Sequence, residues 1–201
     1  MADSHPEWTY LHIWTMTFIR RQLHVQAKNP FKKYLEYLNE LNELTDEQKT
    51  FFQGIGKEFI KLLENTNMTK VYKMPVLMAF YNHGDVRMEV TETELLASWK
   101  EFFSTGTNWK DLDTGITYEQ YCKISDKDHI KRIIKMPVNF LVKSGKGFFV
   151  KRKIQTLALR DEMKEIIKNS VLAEQMKDVI EYRVMDYYQR RYKEQMTAPL
   201  Q

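Results

Sequence analysis

Apolar positions in this chain recur mostly at helical spacing. In the first segment of about 28 residues, Tyr10, Leu11, Ile13, Trp14, Phe18 and Ile19 suit either a strand or an amphipathic helix. Beyond it, Phe31, Tyr34, Leu35, Leu38 and Leu41 return every three or four positions and define one helix face. Asn29-Pro30 marks its start, Asn as N-cap and Pro at the first helical position, where a missing N–H leaves no bond unmade. Thr45-Asp46-Glu47-Gln48 reads as the next start, with Thr45 as N-cap and Gln48 as its capping-box partner. Phe51, Phe52, Ile55, Phe59, Leu62 and Leu63 then form one buried stripe, with Gly54 and Gly56 inside the helix at a close packing contact.

From residue 71 the pattern changes more often. "MPVLMAFY" predicts a short helix with Pro75 in its first turn, "NHGD" a turn, and "VRMEV" a short strand by its alternation. "TETELLASWKEFFSTG" predicts a helix capped by Thr91, with Leu95, Leu96, Trp99 and Phe102 on one side. A polar loop follows through residues 105–117. "DKDHIKRIIKMPVNFLVKSG" is helical with Ile130, Ile133 and Ile134 inward, and "GFFVKRKIQTLAL" predicts two strands joined by a tight turn. "RDEMKEIIKN" and "SVLAEQMKDVIEYRVMDYYQRRYKEQ" complete the chain as a helix or helix pair restarted by Ser170, with Met176, Val179, Ile180, Val184 and Tyr187 as its packing stripe.

Helix, strand, helix, helix and a two-strand wing is the order of a winged helix-turn-helix. The expected fold is therefore α+β and mostly helical, with a helical N-terminal part, a winged helix-turn-helix-like middle and a long C-terminal helix. The corresponding segments are 1–28 (uncertain), 29–70 (helical hairpin), 71–160 (winged-helix-like), 161–195 (C-terminal helices) and 196–201 (tail).

The tetrapeptide Lys-Met-Pro-Val occurs twice, at Lys73–Val76 and Lys135–Val138. The sequences diverge immediately afterwards, so an internal repeat is excluded. Both copies read as helix starts. The second directly follows a helical run, which it is expected to kink or to end.

Composition narrows the picture. With 43% hydrophobic and 29% charged residues over 201 positions, the chain is a folded globular one. The single cysteine, Cys122, excludes an intrachain disulfide framework and a multi-Cys zinc site. No apolar run reaches the ~20 residues of a membrane span, and the arginines of the first segment follow its apolar part, the reverse of a secretory signal. A cytoplasmic location without membrane association is expected.

Charge is concentrated. From Lys127 to Lys153 there are nine Lys/Arg and one acid, Asp128, so that stretch carries +8 while the whole chain is +4. Lys127, Lys131 and Lys135 follow at four-residue steps on one helix face, with Arg132 beside them. Lys151, Arg152 and Lys153 fall in the expected wing, with Lys143 and Lys146 at its edge. Such a helix and hairpin can track a phosphate backbone, which presents one charge per ~1.7 Å of duplex. Asn139 is a candidate base reader. Arg183, Arg190 and Arg191, on the tyrosine-rich last helix, are second-rank contact candidates, since tyrosine with arginine suits base stacking or a protein interface.

Catalytic signatures are absent. The histidines (5, 12, 24, 83 and 129) lack metal-ligand spacing, and there is no nucleophile elbow, dinucleotide fingerprint or P-loop. The acids Asp85 with Glu89, and Asp111 with Asp113, lack a third partner for a metal-dependent nuclease. No catalytic residue, metal or cofactor is expected.

"YLEYLNELNELTDEQ", "EFIKLLENTNMTKVYKMPVLMAFYN", "VRMEVTETELLASWKEFF" and "VIEYRVMDYYQRRYKE" together resemble the C-terminal accessory region of bacterial DEAD/DEAH-type helicases linked to restriction or phage defence, over about residues 29–195. The resemblance implies a nucleic-acid context, with a helicase or nuclease subunit as partner. It supplies no functional residue, and without a motor motif it implies a fragment or a stand-alone relative. The expected function is non-catalytic binding of nucleic acid, most simply DNA, as an accessory module of a helicase or restriction-type system. A protein-docking module and a metal-dependent nuclease are the alternatives.

Overall fold

The computed structural model describes residues 34–152 and 157–197. They divide into two compact units between Thr45 and Asp46, inside the segment 29–70 for which a hairpin is expected. The first unit contributes helix α1 (Tyr34–Glu40). The expectations for residues 1–28, for the Asn29-Pro30 helix start and for residues 198–201 fall outside the described residues.

The second unit is α+β and mostly helical. Helix α2 (Asp46–Phe52) and helix α3 (Ile55–Asn65) replace the single helix expected there. Gly54 has extended backbone angles at the N-cap of α3, so it breaks the helix instead of packing inside it. Gly56 does pack closely: a β-carbon there would collide with the ring of buried Phe51. Helix α4 (Lys73–Met78) carries Pro75 in its first turn, as the sequence predicts.

The "NHGD" turn closes a hairpin of β1 (Tyr81–Asn82) and β2 (Asp85–Val86). His83 (φ 46°) and Gly84 (φ 97°) are both left-handed, the conformation whose twist matches paired strands. "VRMEV" is therefore divided: β2 ends at Val86, and β3 (Glu89–Val90) joins another sheet. Helix α5 (Glu92–Ser104) starts from a complete capping box, Thr91 accepting from the Glu94 N–H while the Glu94 carboxylate accepts from the Thr91 N–H. Its buried residues are Leu95, Trp99 and Phe103, one position beyond the expected Phe102, which is half-buried.

The expected polar loop contains a tight 3₁₀ turn (Asn108–Asp111), followed by a further short helix, α6 (Tyr118–Cys122), capped by Thr117 and Gln120. Helix α7 (Asp126–Ile133) then continues through a wide i→i+5 turn (Ile134–Val138) into α8 (Asn139–Ser144). Pro137 neither ends this rod nor starts a new capped helix. In an α-turn its ring would meet the carbonyl four residues back, and the wider turn removes that clash. Of the three isoleucines expected inward, Ile133 is buried while Ile130 and Ile134 are half-buried.

Strands β4 (Phe149–Val150) and β5 (Leu157–Leu159) complete a three-stranded antiparallel sheet in the order β3-β5-β4. Residues 153–156 of their connection lie outside the described residues. A 3₁₀ turn (Asp161–Glu165) leads to helix α9 (Ser170–Thr197). The cap shifts one residue from Ser170: the Asn169 side chain accepts the Leu172 N–H.

Two aromatic clusters fill the interior. Phe59 meets Phe148 and Phe149 with ring centroids 5.4 and 6.0 Å apart, and Phe80 meets Phe149 at 5.9 Å, which joins α3 and the end of α4 to the sheet. Tyr72, Trp99 and Phe103 form the second, with Trp99 and Phe103 at 4.5 Å. Such pairs contribute about 0.5–1.5 kcal/mol each beyond the area they bury. Helix α9 packs along α2, α3, α4 and the β1–β2 hairpin through Met176, Val179, Ile180 and Tyr187. No helix among the described residues is long and apolar enough to cross a membrane.

Candidate functional site

Along α7 and the wide turn that follows it lies an open groove of about 980 Å³. Asp128, Lys131, Arg132, Lys135 and Met136 form one wall, the 113–116 loop with Gln120, Lys123 and Ile124 the other, and Lys70 and Tyr72 also line it. The helix face bearing Lys131 and Lys135 is thus the one the four-residue spacing singles out. Lys127 is exposed on the same rod but does not line the groove.

The expected contact residues separate by what they already hold. Lys127, Lys131, Lys135, Lys143 and Lys146 are all exposed. Arg132 is committed internally. It donates to the Leu112 carbonyl (2.9 Å) and to both Asp113 carboxylate oxygens (2.9 and 2.7 Å). Its guanidinium holds the Asp113 carboxyl below the usual carboxylate range, and Asp113 in return raises Arg132. Arg132 is therefore a strut between α7 and the 113 loop.

In the β4–β5 connection, Lys151 Nζ donates to Asn139 Oδ1 at 2.6 Å, and Arg152 pairs with Asp161 at 2.7 Å. Lys153 lies outside the described residues. Asn139 is not free to read a base: its Nδ2 also donates to the Lys135 carbonyl at 3.3 Å. That bond ties α8 to the wide turn.

Two of the second-rank residues are also held by partners within the fold. Arg183 is turned inward, donating to the carbonyls of Glu64 and Thr66 at the end of α3. Arg191 donates to Asp111 (2.8 Å) and to the Tyr187 hydroxyl (2.7 Å). Arg190 is exposed and pairs with Asp186 one turn away. Two of the three arginines act within the fold, because their helix is the one that closes the core.

Sequence reasoning missed four residues of this region. Lys70 donates to the carbonyls of Asp111 and Leu112, both at 3.1 Å, and to the Tyr72 hydroxyl at 3.3 Å. Lys123 adds a cation to the far wall, shared with Glu119. Met136 and Phe140 are exposed apolar residues on the basic rod. The last two had a signal in the sequence, since they stand four apart between Lys135 and Lys143. Lys123 had one as well, a four-residue step before Lys127 and three residues ahead of α7, whereas Lys70 had none, because only folding brings it near α7.

The acidic pairs do not gather. Asp111 is buried and accepts from Tyr187, Arg191 and the Val71 N–H, while Glu89 lies 3.9 Å from Arg152. Among the described residues no group of three or more His, Cys, Asp or Glu is placed to hold a metal ion. Cys122 is an exposed free thiol. No protein-family model matches the chain, and no curated protein or solved structure matches it either.

Proposed function

We propose that residues 71–160 act as a winged-helix module that grips the phosphate backbone of nucleic acid, and that the chain is a non-catalytic accessory module of a helicase or restriction-type system. The observation that carries the reading is the row of exposed lysines on the α7–α8 rod and the turn after it, Lys127, Lys131, Lys135, Lys143 and Lys146. The topology supports it: α4, β3, α5, the α7–α8 rod, β4 and β5 follow in that order, and the sheet order places the first strand beside the third. In this reading the rod is the recognition helix and the β4–β5 connection the wing. Lysine contacts of this kind supply affinity without reading sequence. The helicase or restriction context rests on the resemblance of residues 29–195 alone.

Binding to labelled DNA across a salt series tests the proposal. Five lysines on phosphate give a log–log slope of about −4.5. Replacing Lys131, Lys135 and Lys143 with glutamine is expected to flatten that slope by about 2.7. An unchanged slope, or no binding at low salt, overturns the proposal.

A further inference from the structure

Six of the apolar residues on the α7–α8 rod settle its packing, and two do not fit that pattern. Ile133, Pro137, Val138 and Leu141 are buried, and Ile130 and Ile134 half-buried. Phe140 is 51% exposed and Met136 38%. They stand four residues apart along the rod, and Met136 lines the groove with Asp128, Lys131 and Lys135. Lys143, three residues beyond Phe140 within α8, closes the row from the other end.

An exposed phenyl ring and thioether on a helical rod that also carries exposed Lys131, Lys135 and Lys143 combine apolar surface with positive charge. A docking protein helix would need a broader apolar face. An unpaired nucleotide matches that combination: its base offers a flat π-face to the ring, and the phosphates on either side reach the lysines. In duplex the π-faces are occupied by neighbouring base pairs.

We infer that Phe140, supported by Met136, is a stacking surface for an unpaired base, so that the substrate class is nucleic acid with a single-stranded segment. This rests on the phosphate-binding reading and adds strand form to it.

The test compares the full chain on blunt DNA duplex, the same duplex with a single-stranded overhang, and that overhang carrying 2-aminopurine at its first unpaired position. The overhang is expected to bind about tenfold more tightly than the blunt duplex. Phe140→Ala should abolish that ratio and the change in 2-aminopurine fluorescence while leaving the salt slope intact, and Phe140→Trp should keep both. Because Phe140 is half outside the core, the alanine variant is expected to fold, which circular dichroism checks. Equal binding to blunt and overhang DNA, or a ratio unaffected by Phe140→Ala, overturns the inference while leaving the phosphate-binding proposal standing. So does a Phe140→Ala variant that changes only the sedimentation of the chain, which would make this surface a contact between copies. Absence of any salt-dependent binding overturns both.

Discussion

His129 lies at 3% exposure, its Nδ1 accepting the indole N–H of Trp99 at 3.1 Å. That bond requires an unprotonated Nδ1. Burial lowers the imidazole pKa first, with the positive charges of Lys100 and Arg132 acting the same way and Asp126 and Asp128 opposing them. The folded state thus disfavours the imidazolium. The bond's contribution is complete above the unfolded value of about 6.5 and is lost as pH falls from there toward the lower folded value. Thermal melts of the wild type between pH 8 and pH 5 are expected to fall more steeply than those of His129→Asn, whose side-chain oxygen accepts the same N–H without titrating. Parallel curves would show that this contact is not the acid-sensitive one.

At the scale of elements, the carboxylate of Asp111 joins three parts of the unit. It is 7% exposed and accepts from the Val71 N–H at 3.2 Å, from the Tyr187 hydroxyl at 2.8 and 2.9 Å, and from Arg191 at 2.8 Å. The entry to α4, the 108–111 turn and the second half of α9 meet there. Burial and the bond to Asp111 push the Tyr187 hydroxyl up to about 12, so it remains a donor throughout the neutral range. Asp111→Ala leaves the buried Val71 N–H and the Tyr187 O–H without their acceptor and is expected to cost about 3 kcal/mol in urea unfolding. Limited proteolysis should then cut α9 beyond Tyr187 sooner than in the wild type. A loss confined to global stability, with unchanged cleavage there, would mean that Asp111 does not hold this helix end.

For the molecule as a whole, the basic stretch holds two kinds of residue that composition cannot separate. The exposed lysines of the rod are available to a polyanion, whereas Arg132 is spent on Leu112 and Asp113. Arg132→Ala is therefore expected to lower the melting temperature by about 2–4 °C and to leave the salt slope of DNA binding unchanged. Lys135→Gln should do the reverse, with the slope reduced by about 0.9 and the melting temperature unaltered. Swapped outcomes would return Arg132 to the interface. Arg183 is the extreme case on the last helix, where burial lowers its pKa and two backbone carbonyls take its donors.

Local chemistry was legible where it depends on neighbours in sequence. Thr91 with Glu94, Pro75 in a first turn, the turn at Asn82–Asp85 and the buried Met176, Val179, Ile180 and Tyr187 all follow from residues a few positions apart, through capping, fixed proline geometry, turn residues and helical period. The four-residue steps of Lys131 and Lys135 likewise placed both on one face. Tertiary structure decided the rest, because each remaining outcome depends on a partner far along the chain. Gly54 breaks a helix whose stripe reads as continuous, and Pro137 is absorbed by a wide turn packed against α4. Asp113, 19 residues before Arg132, withdraws that arginine from the basic face. Charge along a sequence shows which residues can meet a phosphate; which are left free to do so is set by the carboxylates and carbonyls that folding brings within 3 Å.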